Sequence, residues 1–537
     1  MMDFDPVYQP FQSSRYTVTA SRGMVASSSA MASNAGLDML KMGGNAVDAA
    51  VAAAAVLSVT EPTSNGIGGD AFAIVWMKDK LYGLNGSGTA PQKLSIETLK
   101  AQGIDKIPEH GWIPVMIPGQ PRAWAELIHR FGKLTMKQVL APAIHYAEEG
   151  YAVSPVLSYL WGKYVAKNKE EYKKSDVYKN WLKTFTKDGE PYKFGEIVRF
   201  PDHARTMRLI AESDSESFYS GKIAEAIVRQ SDRDGGYISI EDLKNYHCDW
   251  VEPISVNYRG YDVWELPPNG QGLVTLLTLN ILKNQTFDSN DEIGKYHTLF
   301  EAMKIAFEDG ISIITDPSCM KENYRDYLTD AYGKQRYIDI DSRAKTYMPY
   351  NPFKSGTVYL CTADNEGNMV SYIQSNYHDF GSGIVIEDYG VSLQNRGFDF
   401  SLNPQDANCL KPGKKSYHTI IPGFLSKDSK AVGPFGVMGG YMQPQGHVQV
   451  LTNMIDFHLN PQMALDAPRW QWTKGKEFLV EPEFDKRVAD ELIRKGHEIK
   501  YAANRYSFGR GQIIQRLDNG VLIGGTESRT DSNIACY

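Results

Sequence analysis

The sequence predicts one compact body in which helices and strands are interleaved, and three observations lead there. Two β-prone runs, residues 357–362 and 369–373, flank the polar break Asp364, Asn365, Glu366, Gly367, Asn368, which is the pattern of a hairpin. Residues 117–150 carry amphipathic helical spacing on both sides of a Phe-Gly-Lys-Leu turn at 131–134, and a Pro-Pro-Asn-Gly turn leads into the apolar run that ends at Leu282. No internal repeat and no low-complexity linker interrupts the chain. Its 537 residues, which by length alone allow three or four domains, are therefore read as one unit.

From the N-terminus, residues 22–70 read as strand, helix, turn, helix and a glycine-rich loop. Residues 31–42 have helical spacing and stop at Gly43 and Gly44. Asn45 can cap the next helix, whose Ala- and Val-rich sequence from Ala46 allows close packing on a sheet. The loop Gly-Ile-Gly-Gly-Asp at 66–70 is no phosphate cradle, because it lacks GxGxxG spacing and precedes a strand, residues 71–76. It is read as a tight turn where backbones approach. Residues 163–187 mix lysine, tyrosine and acidic residues and are read as a solvated face. Residues 231–243 resemble a calcium loop at a glance, but the fifth-position acid is missing and the glycines are misplaced. Residues 341–354 form a polar, proline-containing segment of the kind that can be cut and can then move away.

Composition excludes several classes. Apolar residues make up 42% and charged residues 23%, ordinary for a globular protein with a sizeable core. A net charge of −7 gives no basic field for nucleic acid or an anionic membrane. The first twenty residues are acidic and polar where a secretory signal needs a basic head and an apolar run of about 7–15. The run 46–59 is too short to span a bilayer and contains Asp48. The expectation is a cytoplasmic protein. Five scattered cysteines suggest neither disulfides nor a zinc site, and eleven histidines form no HExxH or paired spacing, so no metal or cofactor is expected.

The chemistry points to residues 350–382. Thr357 opens the first β-prone run after Ser355 and Gly356. Gly356 has no Cβ, so its backbone tolerates strained dihedrals and another atom can come close to its carbonyl. The β-hydroxyl of Thr357 is within reach of that carbonyl. Its attack would be an N→O acyl shift, and hydrolysis would then leave Thr357 as a new N-terminus. Such a residue holds nucleophile and base together, since a free α-amine titrates at about 7.7–8.0. A Gly-Thr pair alone is an ordinary strand opening.

The surroundings add to it. The segments SGTVYLCTADNEGN (355–368), FGSGIV (380–385), LQNRGFDFS (393–401) and VMGG (437–440), with NAG (34–36), GGNAVDAAVA (43–52), GIGGD (66–70) and LPPNGQGLVTLLTLNIL (266–282), resemble the γ-glutamyltranspeptidase family in order and spacing. Its members are self-cleaving N-terminal nucleophile hydrolases. The resemblance implies an α+β fold, a four-layer αββα sandwich, with a large subunit of residues 1–356 and a small one of 357–537 that stay one body. It implies cleavage between Gly356 and Thr357, Thr357 as nucleophile, Ser375 as the hydroxyl that hydrogen-bonds to it, and the N–H groups of Gly439 and Gly440 as oxyanion donors. Asp399 matches the aspartate that binds a substrate α-amino group.

Other positions depart from the family pattern. Ser87 stands where an arginine grips the α-carboxylate, and it reads equally well as a turn residue. Arg396 replaces a neutral amide and could supply the missing carboxylate partner. Tyr377 replaces an asparagine, His418 and Thr419 replace a serine pair, and residues 402–413 are too short for the lid of some relatives. These departures resemble the glutathione hydrolase-like and cephalosporin acylase-like side of the family. The implied partner is a small-molecule amide or γ-glutamyl peptide, with neither nucleic acid nor membrane, and a homo-oligomer of heterodimers stays open. Three readings follow: hydrolysis or transfer of γ-glutamyl amides, as in glutathione metabolism; a non-glutamyl acylase acting on cephalosporin, glutaryl or oxamate amides; and an unprocessed scaffold.

Overall fold

The computed structural model describes residues 5, 15–288, 290–347 and 356–537; the N-terminal segment read above as lacking a signal, the end of the segment 341–354, and Ser355 lie largely or wholly outside them. The hairpin forms as expected. Strand Gly356–Ala363 pairs antiparallel with Met369–Tyr377, Val358 opposite Gln374 and Ala363 opposite Met369. Asp364 closes the turn: its Oδ1 accepts from the N–H groups of Glu366 (2.9 Å) and Asn368 (3.0 Å), while Gly367 takes a φ of +87° that favours glycine. The other carboxylate oxygen accepts from Ala46 N–H at 3.0 Å, which fastens the turn to a helix N-terminus.

That helix, Ala46–Thr60, is buried at every position. Asn45 and Asp48 form a reciprocal capping box, a device of about 1 kcal/mol. The Asp48 carboxylate also accepts from Lys133 and Leu134 N–H groups, so its burial leaves no orphaned charge. Small side chains let the helix lie flat on a seven-stranded antiparallel sheet with the order Asn533–Cys536, Met24–Ser27, Gly356–Ala363, Met369–Tyr377, Asp70–Met77, Lys80–Gly86, Asp249–Val251. A second antiparallel sheet has the order Val18–Ala20, Leu522–Thr526, Arg510–Arg516, Lys430–Met438, Gly423–Lys427, Tyr261–Glu265, Ile254–Tyr258.

Alternation along the strands sorts side chains between the layers. Phe72, Ile74, Trp76, Tyr359, Cys361 and Ile373 of the first sheet meet Phe424, Met438 and Ile514 of the second, and Trp76 stacks on Phe424 with ring centroids 5.8 Å apart. Their neighbours Ala71, Ala73, Val75, Val358 and Leu360 face the helices Ala46–Thr60 and Gln120–Phe131. On the far side, Val256, Val263, Phe435 and Val437 pack against the helices Gly272–Leu282, Glu292–Ile313 and Met442–Ile455. The result is the expected αββα sandwich.

One local expectation changes. In residues 163–187 Lys163, Lys167, Lys173 and Lys174 are exposed, but Tyr164, Trp181 and Phe185 turn inward around Phe380, and Tyr172 packs edge-on against Trp181. The segment is a solvated face over an aromatic core, because two helices, Pro155–Tyr172 and Lys179–Phe185, each turn their rings inward and their lysines outward. Of the segment 341–354 the described residues 341–347 are mostly exposed, and two hydrogen bonds hold them: Ala344 N–H donates to the Lys495 carbonyl (2.9 Å) and Lys304 Nζ donates to the Lys345 carbonyl (2.6 Å). Among the described residues no helix is long and apolar enough to cross a membrane.

Candidate active site

Three adjacent strands bring the site together. Ser375 lies directly opposite Asp70 in the pairing of Met369–Tyr377 with Asp70–Met77, and directly opposed residues point to the same face. Thr357 is in phase with Tyr359 and Cys361, and Asp70 with Phe72 and Ile74, so all three polar side chains project into the space between the sheets, at the end where its apolar filling stops. All three are fully buried.

Ser375 is the hub. Its Oγ accepts from Thr357 Oγ1–H at 3.1 Å and from Tyr377 N–H at 2.7 Å, and it donates to the carbonyl oxygen of Gly356 at 2.7 Å. One donor and two acceptor sites are the full capacity of a hydroxyl. The geometry polarises the Gly356 carbonyl and positions the adjacent Thr357 hydroxyl. Tyr377 holds a φ of +79°, an outlier for an aromatic residue, at the place where the strand pairing is irregular beside Gly356.

From Tyr377 the network runs outward. Its hydroxyl donates to Asp399 Oδ1 at 2.5 Å, and Tyr441 O–H donates to the same oxygen at 3.3 Å. Arg396, one 3-10 turn before Asp399, lies over the Tyr377 ring with its guanidinium carbon 3.9 Å from the centroid. Its Nη1 donates to Thr419 Oγ1 at 2.7 Å and sits 3.8 Å from Asp399 Oδ2, and its Nε is 4.0 Å from Asp70 Oδ2. Arg396 Nε and Nη2 and Asp399 Oδ2 are buried with no hydrogen-bond partner among the described residues. Burial pushes the Asp399 carboxyl up, against the opposing pull of Arg396, and pushes the Arg396 guanidinium down.

His418 donates from Nε2 to Asp70 Oδ2 at 3.0 Å, and burial keeps it neutral by lowering it well below the usual histidine range. Burial raises Asp70 to about 7, even though Arg396 favours its charge. The glycines at 66, 68 and 69 explain how this loop fits: a Cβ on Gly69 would lie 2.6 Å from the Ser375 carbonyl oxygen, and one on Gly68 2.4 Å from that of Ser392. The tight turn is thus a close approach, as expected, but the residue that matters is the aspartate after it.

Gly439 and Gly440 end the strand Lys430–Met438, with φ of +133° and +60°. Among the described residues neither N–H has an acceptor. Gln271 ties them to the pocket, donating from Nε2 to the carbonyls of both Gly440 (2.8 Å) and Thr419 (2.6 Å). The Ser87 hydroxyl is engaged by two asparagines. It donates to Asn85 Oδ1 (2.7 Å) and accepts from Asn269 Nδ2 (3.2 Å), one residue before the Gly88 N–H that donates to Asp70.

Sequence reasoning missed Asp70, Tyr441 and Gln271. A signal existed for Asp70, because it continues the inward phase of Phe72, Ile74 and Trp76 and is therefore a carboxylate on an apolar face. One cluster away from the site has metal-ligand chemistry: His297, Glu301 and His497 offer ligand atoms within 4.8 Å of one another. Lys304 Nζ, 2.6 Å from Glu301, and the 2.8 Å hydrogen bond between the two imidazoles already engage these groups. No sequence spacing foretells the cluster, since His497 is 200 residues from His297.

Two face-to-face antiparallel sheets between helical layers, with a hydroxyl residue opening a central strand, make this an N-terminal nucleophile hydrolase body. A family model described as gamma-glutamyltranspeptidase matches residues 32–537, and the chain belongs to that family. It is 34% identical over 533 residues to the glutathione hydrolase-like YwrD proenzyme of Bacillus subtilis (strain 168), covering 96% of this chain and 98% of that one. It is 31% identical to the oxamate amidohydrolase proenzyme of Klebsiella pneumoniae subsp. pneumoniae, covering 96% and 99%. The crystal structure of cephalosporin acylase from Bacillus halodurans superposes with a TM-score of 0.97 at 54% identity, covering 100% of this chain and 99% of that one.

Proposed function

We propose that the chain is a precursor that cuts itself between Gly356 and Thr357, and that the two resulting subunits, 1–356 and 357–537, form an amidohydrolase whose preferred donors are γ-glutamyl amides. For self-cleavage, Thr357 Oγ1 attacks the Gly356 carbonyl carbon while Ser375 holds its oxygen. The C–N bond breaks, an ester forms, and water hydrolyses it. Thr357 Oγ1 then attacks a substrate amide and its new α-amine relays the hydroxyl proton to the leaving amine. Water, or an acceptor amine, releases the acyl group from the threonine ester. The N–H groups of Gly439 and Gly440 are the donors for the oxyanion, each worth a few kcal/mol in such a role.

One observation carries the choice of donor. Arg396 and Asp399 present buried atoms of opposite charge with no hydrogen-bond partner among the described residues, Nε and Nη2 of the guanidinium and Oδ2 of the carboxylate. An unpaired buried polar group costs about 1–3 kcal/mol, more when charged. A carboxylate and an ammonium on one carbon satisfy both at once. A second reading, a glutaryl or oxamate type of acylase, draws on Ser87 standing where an arginine is expected and on the names of the acylase and oxamate relatives. The test compares γ-glutamyl and glutaryl anilides on processed wild type and Asp399→Asn. The expected result is γ-glutamyl preference in wild type and a loss of about 10- to 100-fold on that donor alone in the variant. Faster glutaryl release by wild type would overturn the reading in favour of the acylase.

A further inference from the structure

The two carboxylates around Arg396 are held very differently. Asp399 is approached by the phenol groups of Tyr377 and Tyr441 at Oδ1, and its Oδ2 has no hydrogen bond among the described residues. Asp70 is fixed on both oxygens: Oδ1 accepts from Gly88 N–H (3.2 Å) and Oδ2 from His418 Nε2–H (3.0 Å). The His418 tautomer is set locally, because Ile420 N–H donates to Nδ1 at 3.3 Å and leaves the proton on Nε2. Asp70 also sits on a strand beside Ser375, whereas Asp399 ends a short 3-10 turn. A donor that splits one of the two pairs will therefore split Arg396 from Asp399.

We propose that Asp70 is a positioning residue that sets donor specificity: it holds the Nε edge of Arg396 when Asp399 turns to a donor ammonium, keeping Nη2 aimed at the donor carboxylate, and it disfavours donors that bring a carboxylate alone. This rests on the reading of Arg396 and Asp399 as the γ-glutamyl subsite. Around one guanidinium, Asp70 and Asp399 supply two negative charges once both are ionised. A zwitterionic donor adds none, whereas a glutaryl donor would be a third anion beside one cation. The other charged group acting on Asp70 is Lys415, His418 is held neutral, and the N–H groups of Gly88 and Gly119 favour the carboxylate.

The test is the ratio of kcat/KM for a γ-glutamyl anilide to that for a glutaryl anilide, measured from pH 6 to 8.5. The Thr357 amine serves both donors, so its titration cancels in the ratio. Because Asp70 is raised to about 7, it is neutral at the acid end and charged at the alkaline end. The ratio should rise about tenfold through neutrality in wild type. In Asp70→Asn, which removes the charge and keeps one acceptor oxygen for the two donors Gly88 N–H and His418 Nε2–H, it should be low and flat, with a raised KM for the γ-glutamyl donor. A wild-type ratio flat with pH, or an Asp70→Asn ratio equal to the alkaline wild-type value, would overturn the role of Asp70. If the variant does not process, the wild-type pH profile decides alone. Wild type that prefers the glutaryl donor at every pH would instead sink the γ-glutamyl subsite itself.

Discussion

Replacing Ser375 by alanine should stall maturation while leaving the fold intact. The hydroxyl supplies the one hydrogen bond to the Gly356 carbonyl oxygen, at 2.7 Å, among the described side chains, and accepts from Thr357 and from Tyr377 N–H. When Thr357 attacks, charge develops on that oxygen. Loss of one preorganised oxyanion donor typically costs about 2.7–4 kcal/mol, or about 10²–10³ in rate. The buried Tyr377 N–H also loses its acceptor, at a cost of about 1–3 kcal/mol to folding, which a body of this size tolerates. The assay is the decay of the full-length band of purified precursor on denaturing gels at 25 °C. Ser375→Thr, which keeps the hydroxyl, should recover most of the rate. Cleavage of Ser375→Ala at the wild-type rate would refute the reasoning.

Other expectations follow from the same contacts. Tyr377→Phe removes the hydrogen bond to Asp399 but keeps the N–H that Ser375 accepts, so self-cleavage should proceed normally while KM for a γ-glutamyl anilide rises about 10- to 100-fold, since bonds to charged groups are worth about 1.5–3 kcal/mol; equal losses in both assays would contradict this. Far from the site, Glu527 is clamped between Arg469 (2.8 Å) and Arg529 (2.7 Å), and the two guanidiniums outweigh burial to hold it down to about 2. Its folded value lies below the usual glutamate range of about 4.3, so its stabilisation is complete above that pH and is lost as pH falls toward 2. Glu527→Gln should lower Tm at pH 7, by a loss of about 3–5 kcal/mol, and the gap from wild type should narrow below pH 4 in a thermal-melt series.

What the sequence revealed and what it hid divide along physical lines. Local signals survived: the hairpin around Asp364 to Asn368, the Asn45 cap and the small-residue helix after it are set by residues a few positions apart. The αββα layering was legible only through the family resemblance, because pairings such as Asn533 with Ser27 join residues about 500 positions apart. At the site, Thr357 and Ser375 sit together as expected, and Arg396 lies beside Asp399, Tyr377 and Thr419. Asp70 was hidden by its glycines, which drew the eye to the turn. The aromatic core under residues 163–187 was hidden by lysines counted along the chain and not around the helix. Ser87 was placed by motif alone, and its commitment to Asn85 and Asn269 depends on a loop about 180 residues away.

The central claim is tested most directly by intact mass spectrometry of the purified protein with N-terminal sequencing of any fragment. Two masses that meet between Gly356 and Thr357 are expected, with the smaller fragment starting at Thr357. A single mass near 60.1 kDa after long incubation would contradict the claim, because Thr357 would then have no free amine with which to act.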